Sequence, residues 1–474
     1  MNNTECIQKE LNFQDLGSRN VIGRFDGGRV TSDAGAMLLS EIENHSHIIN
    51  SFADCFTDTR NSNYIEHDVE HLVAQRVYGI CLGYEDVNDH EELRKDPLFA
   101  TICGKADVKG EERKRNPDKG KPLAGKSTLN RMETAQALNG NPDRYKKIFF
   151  DEEKIDDFFV DQFIRSYGSE PDFLVLDIDA TDDPVHGHQQ GRFFHGYYDH
   201  YCYLPLYIFC DNYLLRAKLK TANLDPGNDA LPDLKQVIER IRLYWPNTRI
   251  LIRGDSGFCR EEIMAFCEEN PQTFYLFGLP KNKRLIKRIM REMEEAKEKC
   301  RTTMMSQRIY KDFTYQTLKT WSEARRVVGK AECSLKGENP RFVVTNLPKE
   351  EYDAKALYED VYCARGDMEN RIKEQQLFLF ADRTSCHMLK SNQLRLYFAA
   401  VAYVILNELR EKALKGTELE TAQCSTIRLK LLKVGALIKI SVRKIWIHYS
   451  QAYPYQELFF RIFEKIKKLK LSMC

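Results

Sequence analysis

A chain of 474 residues, 42% hydrophobic and 30% charged, has an ordinary globular composition and room for two to four domains. Its net charge of +1 excludes a global field that would draw in nucleic acid, so any basic surface has to be local. No apolar run approaches the roughly 18 residues of a membrane helix. The start, Met1-Asn2-Asn3-Thr4-Glu5, lacks the basic-then-apolar order of a secretory signal, and the 14 cysteines include no Cys-x-x-Cys, which argues for reduced thiols in a cytoplasm.

In chain order, residues 1–20 are polar and read as an arm. Gly23-Arg24-Phe25-Asp26-Gly27-Gly28-Arg29 is a turn-rich hairpin candidate, and Ser32-Asp33 is placed to cap a helix. Residues 64–82 have Val69, Leu72, Val73, Val77 and Ile80 at helical spacing. A charged loop over 104–121 precedes a helix over 128–138. From residue 172 the pattern changes to strands at 173–179, 204–210 and 214–219. A helix at 233–244, a strand at 249–253, a helix at 261–267 and a strand at 274–279 complete a mixed α/β sheet. Next come a charged helix at 281–301, short strands within 314–344, a helix at 352–374 and a long apolar helix at 393–412. Residues 427–447 alternate apolar and basic side chains like a strand, and 459–469 form a basic amphipathic helix. From Leu409 to Cys474 there are fourteen Lys/Arg against five Asp/Glu, a balance suited to phosphate contacts or to a solvated face.

Two motifs match known patterns without the context these require. Gly120-Lys121-Pro122-Leu123-Ala124-Gly125-Lys126-Ser127 fits the phosphate-binding loop, but a buried strand must enter that loop, and Arg113-Lys114-Arg115-Asn116-Pro117-Asp118-Lys119 cannot form one. His67 and His71 have zinc-binding helical spacing, but no third ligand follows and the neighbouring acids suit a charged face. His186, His188, His195 and His200 lie in a Gly-rich aromatic stretch that reads as a structural or DNA-facing hairpin.

The chemistry concentrates on acids. Leu174-Val175-Leu176-Asp177-Ile178-Asp179-Ala180-Thr181 opens apolar and sets two carboxylates on one face of a strand end. Such charge at a buried edge needs a cation or a donor. Asp255, in Arg253-Gly254-Asp255-Ser256-Gly257, ends another strand of the same sheet, where glycines allow close backbone approach. Glu369 shares a helical stripe with Tyr362, Arg365 and Lys373 by three- and four-residue steps. Acids for a hard metal and cations for phosphate are what phosphodiester chemistry requires.

Tyr362-x2-Arg365-x3-Glu369 resembles the signature of bacterial insertion-sequence transposases of the Asp-Asp-Glu type. Asp179-Ala180-Thr181 is similar to that group's first catalytic motif and Arg253-Gly-Asp255-Ser-Gly-Phe258 to its second. The stretches 177–203 and 83–90 extend the likeness over nearly the whole chain. One position departs: the Lys expected seven residues after the Glu is Gln376, and the basic residue is Lys373.

The resemblance implies a ribonuclease H-like α/β core with an inserted β-rich subdomain and a helical N-terminal DNA-binding part. The expected divisions are an end-binding part at 1–165, the first half of the core at 166–280, the insertion at 281–350, the second half at 351–410 and a basic region at 411–474. Asp179, Asp255 and Glu369 are the expected catalytic residues and the ligands of two Mg²⁺ ions, with Mn²⁺ as a substitute. Tyr362, Arg365, Lys373 and Trp321 are expected at DNA, Trp321 by stacking on a flipped base. Strand alternation does not choose between Asp177 and Asp179. Asp179 lies nearer the strand end and fits the family motif, which leaves Asp177 to orient a cation or water from behind. The implied partners are the element's terminal inverted repeats and target DNA, bound by a dimer on the bacterial nucleoid in the cytoplasm, with no membrane. A metal nuclease without strand transfer and an inactive DNA-binding remnant are the alternatives.

Overall fold

The computed structural model describes residues 10–137 and 146–471. Residues 1–9 of the expected arm, and Leu138 at the end of the expected 128–138 helix, lie outside them. Among the described residues no helix is long and apolar enough to cross a membrane. The chain gathers into two units that interleave along the sequence. One comprises Met1–His47, Asn63–Leu129 and Glu408–Cys474, the other Ile48–Ser62 and Asn130–Asn407.

In the second unit, a strand covered on both faces needs apolar residues at successive positions, and 173–176 with Ile178 supply them. This strand, β1 (Phe173–Ala180), lies inside a nine-stranded mixed sheet. β2 (Leu206–Cys210) pairs antiparallel with it, and β3 (Tyr213–Lys218) antiparallel with β2. On its other side β4 (Arg249–Gly254) runs parallel to β1, and β5 (Thr273–Leu279) parallel to β4. The order 3-2-1-4-5 is extended by β6 (Gln307–Tyr315), β7 (Arg325–Ser334) and β8 (Arg341–Thr345), joined as β5-β8-β7-β6, with the short strand Gly337–Glu338 on β7.

The strands of residues 281–350, expected as an inserted subdomain, lengthen the central sheet. β8 supplies Phe342, Val343 and Val344 to the open edge of β5, and the buried backbone groups of that edge are satisfied by the pairing. The expected 281–301 helix is two helices, Lys283–Arg288 and Met290–Thr303.

Helices cover both faces. α1 (Glu152–Ser166) is capped by Asp151, whose carboxylate accepts from the Lys154 N–H, and buries Ile155, Phe159 and Phe163 along one stripe. With α2 (Leu231–Tyr244) and α3 (Glu261–Glu269) it packs on Leu174, Leu176 and Ile178. Each fully buried side chain of this size contributes about 1.5–3 kcal/mol. Fully buried Arg216 on β3 reaches Asp156 of α1 at 2.6 Å and Asp233 of α2 at 3.6 Å, tying both helices to the sheet. The opposite face, with Leu251, Leu276, Val328 and Val343, is covered by Leu347, Leu357 and Tyr358. A helical run over 354–378 includes α4 (Gly366–Lys373), after a π stretch at Leu357–Tyr362 and a 3₁₀ turn at Cys363–Arg365 and before a second π stretch at Glu374–Phe378. The long apolar helix is α5 (Leu389–Leu409).

In the first unit, Arg29–Thr31 pairs with Ala436–Ile440, which pairs in turn with Ile445–Tyr449. The expected 23–29 hairpin is therefore absent: Ile22–Gly23 pairs back to Leu11–Asn12 instead. The single strand expected over 427–447 is helical until Leu432 and then forms two strands. Asp33 accepts from the Tyr84 hydroxyl at 2.7 Å and meets Lys433 at 2.7 Å rather than capping a helix with its side chain. The helix Gln456–Leu471 buries Leu458, Ile462 and Ile466 at four-residue steps. No strand enters residues 120–127; a 3₁₀ turn, Asn116–Asp118, precedes them, and Glu91 accepts from the Lys126 N–H at 2.8 Å. Lys126→Ala is expected to leave activity unchanged, and ATP to show no saturable binding by calorimetry.

Two histidines make this unit acid-sensitive. Burial, followed by Lys105 and Arg113, pushes His67 down to about 3, and burial beside Arg76 pushes His90 down to about 3. Both rings are neutral when folded and take up protons near 6.5 once unfolded, so their stabilisation is complete above about 6.5 and is lost as pH falls toward 3. Each contributes a slope of up to ~1.4 kcal/mol per pH unit. Urea unfolding between pH 6.5 and 5 should therefore show a shallower pH slope for His90→Gln than for wild type. An unchanged slope would contradict this.

Candidate active site

β1 and β4 bring the first acids together. In their parallel register Arg253 stands beside Asp177, and the guanidinium grips that carboxylate with two bonds, Nε to Oδ1 at 2.6 Å and Nη2 to Oδ2 at 2.7 Å. Burial lifts the Asp177 carboxyl above its ordinary range, while Arg253 and then Arg365 pull it back. Arg253 Nη1 also donates to the Val361 carbonyl, tying β4 to the helical run that carries Tyr362 and Arg365. Asp177 is thus closed in a two-bond ion pair with its strand neighbour, whereas Asp179, two residues on and on the same face, meets a cation from another segment, Arg365.

Asp179 has one oxygen on the Ala180 N–H at 2.9 Å and the other on Arg365 Nη1 at 3.0 Å. Arg365 Nη2 lies 3.6 Å from Glu369, one helical turn on, so one guanidinium stands between two acids. Burial raises the Asp179 carboxyl to about 6; Arg365 opposes this, and the charges of Asp255 and Glu369 add to it. Acids from two other segments therefore act on Asp179. Asp255 follows β4 and accepts from the Gly257 N–H at 2.8 Å, closing the turn that holds its carboxylate at the strand end.

Tyr362 completes the group. Its hydroxyl lies over Gly278 of β5, so near that a Cβ there would come within 2.7 Å of it and 3.0 Å of the Ser256 N atom. The close approach explains a glycine inside a central strand. That isolated glycine was the available sequence signal for a site contact, and sequence reasoning passed over it. Gly278→Ala should push Tyr362 and the Asp255 turn apart and lower activity by about a hundredfold, as ångström-scale misplacement of reacting groups does. Initial-rate measurement checks this, and activity within twofold of wild type would contradict it.

A family model described as Transposase DDE domain group 1 matches residues 13–471. The chain belongs to that family. Among curated proteins, none matches the chain. Membership in the DDE transposases implies a ribonuclease H-like core and use of a divalent metal. The carboxylates fit such an ion in kind, being hard oxygen donors whose mutual repulsion a cation would relieve. Among the described residues no three acids, histidines or cysteines stand close enough to form a ready-made metal cluster. Between Asp179 and Glu369 the guanidinium of Arg365 supplies the positive charge.

The remaining residues read from the sequence are dispersed. Lys373 is exposed at the end of α4. Gln376, where the resemblance leads us to expect Lys, turns inward and donates to the Asp182 carbonyl at 3.0 Å and to Asp183 Oδ1 at 2.9 Å. It anchors the segment that follows β1. Trp321 is buried, edge-on to Tyr315 and beneath the Arg325 guanidinium, so stacking on a base would require it to leave the core. His67 is buried and His71 engages Asp68 at 2.5 Å, so the two do not face a common ligand.

Proposed function

We propose that the chain is an insertion-sequence transposase that cuts DNA at the ends of its element and joins the freed ends to target DNA. The observation that carries this reading is the Arg365 guanidinium set between Asp179 and Glu369 at the strand end beside the Asp255 turn, in a chain matched to DDE transposases over nearly its whole length. Asp179, Asp255 and Glu369 would hold the divalent cations, Mg²⁺ or, in its place, Mn²⁺. Bound there, two such cations neutralise the phosphate and steady the attacking and leaving oxygens.

The chain's own residues bind and orient. Arg365 offers a planar fork that suits a phosphate as well as it suits the two acids. Tyr362, beside Asp255, and Lys373, one turn past Glu369, position the strand. Asp177, locked by Arg253, keeps the β1–β4 junction in register beneath the acids. Water attacks the phosphorus at the element end, the bond to the 3′ oxygen breaks, and that oxygen leaves as a hydroxyl. The 3′-hydroxyl then attacks a target phosphorus, loses its proton to solvent and displaces the target strand's 3′ oxygen. No covalent protein–DNA intermediate is needed. The N-terminal part binds the terminal repeats with help from the basic C-terminal region, two copies act on two ends, and the work takes place on the bacterial nucleoid.

The test is incubation of the full chain with a plasmid carrying the terminal repeats that flank its gene. With Mg²⁺ it should give breaks at the repeat ends and joined products, and with a chelator neither. Cleavage without joining would indicate a nuclease, and no Mg²⁺-dependent cleavage would indicate a binding remnant.

A further inference from the structure

Directly after β1, past Thr181 and Asp182, the chain forms a three-stranded antiparallel hairpin of Asp183–Pro184, Phe193–His195 and His200–Tyr203, with His200–Tyr203 in the middle. Its two faces differ. On one, His195 and His200 are cross-strand partners and both rings lie against Tyr198, at 5.0 and 6.0 Å. His200 Nε2 is 2.8 Å from Asp182, and Tyr198 feels the charges of both Asp182 and Asp179. This face is therefore tied to Asp182, three residues past Asp179 in the chain. On the other face, Phe194 and Tyr201 are cross-strand partners with centroids 5.6 Å apart and rings nearly perpendicular. The Arg192 guanidinium lies 4.4 Å over the Tyr201 ring, and His188 Nδ1 is 2.9 Å from Arg192 Nη2.

That second face is open: Phe194 is 52% exposed, Tyr201 45%, and Tyr197 at the tip 85%. The hairpin's base is fixed, since Gln190 N–H donates to the His387 carbonyl at 2.8 Å, the Tyr203 hydroxyl to the Gln190 carbonyl at 2.6 Å and the Gln189 amide to the Thr384 carbonyl at 3.1 Å. Aromatic rings held in water by a braced hairpin are unfavourable without a ligand. The composition names the ligand's chemistry. Of the hairpin's two acids Asp183 is fully buried, which leaves Asp199 exposed against one arginine and four histidines, and Arg192 beside the open rings suits a phosphate on a ligand that also carries flat apolar faces. Stacking rings beside a guanidinium is how single-stranded nucleic acid is held without sequence readout.

We infer that this hairpin is a stacking platform for unpaired nucleotides of the DNA strand next to the candidate active site, with Phe194 and Tyr201 taking the bases and Arg192 a phosphate. The inference rests on the transposase reading and adds residues that reading does not use. It requires the DNA to be opened where it is cut, because paired bases do not present their faces.

The test uses the full chain in chelator, with a forked duplex bearing 2-aminopurine in its unpaired arm and a fully paired duplex of equal length. Wild type should prefer the fork and change the 2-aminopurine fluorescence on binding. Phe194→Ala with Tyr201→Ala should lose that change and weaken fork binding by about ten- to hundredfold, with paired-duplex affinity held within twofold. Phe194→Tyr with Tyr201→Phe should restore both. Tyr197→Ala, at the exposed tip, gives an independent reading if the double variant folds poorly, and should weaken fork binding alone. Equal loss on both probes, no loss on either, or a drop in sedimentation mass in place of a binding defect would overturn the inference, the last by marking a contact between copies. A wild-type chain that prefers the fork but never cuts repeat ends refutes the transposase reading and leaves the platform. One that cuts ends without fork preference does the reverse.

Discussion

Asp255→Asn should lower end cleavage by about a thousandfold, ~4 kcal/mol of barrier, with DNA-end binding and the unfolding transition close to wild type. Asparagine keeps the oxygen that accepts from the Gly257 N–H, so the turn after β4 survives and only the charge is lost. Asp179→Asn should fall as far, since it keeps shape but removes the anion that meets Arg365. Glu369→Gln removes the third, and any of the three that retains Mg²⁺-dependent nicking drops out of the site. Asp177→Asn is the informative contrast. Its carboxylate is engaged by Arg253, so it should retain about a tenth to a hundredth of activity, the usual cost of losing a group that supports a ligand from behind. If Asp177→Asn is dead and Asp179→Asn active, the two exchange roles.

The second large effect is on stability. Arg253→Ala leaves Asp177 buried without its partner, and breaking a buried pair in this way costs about 3–5 kcal/mol. The loss extends to the helical run over 354–378, because the same guanidinium donates to the Val361 carbonyl just before Tyr362. Denaturant unfolding should show the full cost for Arg253→Ala and a smaller one when Asp177→Asn is added, since no unpaired anion then remains. A single-variant cost below about 1 kcal/mol would mean that the pair is solvated and does not hold the junction.

What the sequence revealed and what it hid divide along one physical line, local against non-local. The two apolar strands ending in Asp179 and Asp255 were legible, because alternation and the glycines around Asp255 act within a few residues. The step from Arg365 to Glu369 was legible for the same reason, whereas the π stretch and 3₁₀ turn that carry Tyr362 and Arg365 were not. Arg253 was visible as a letter of the second motif, but its grip on Asp177 depends on the parallel register of β1 and β4. Strands within 281–350 could be read from alternation, whereas their addition to the edge of β5 could not, since nothing in β8 names its neighbour. The joining of Arg29–Thr31 to Ala436–Ile440 spans most of the chain and leaves no local trace. Gln376 looked like a lost cation; with its partners Asp182 and Asp183 in view, it is a tether.

The central claim is that Asp179, Asp255 and Glu369 act together as one divalent-ion site. Mn²⁺ titration of the full chain bound to repeat-end DNA, followed by the loss of free-ion electron paramagnetic resonance signal, tests it most directly. The account predicts saturable uptake of two ions by wild type, with at least one lost in each of Asp179→Asn, Asp255→Asn and Glu369→Gln. Uptake by all three variants equal to wild type would contradict it.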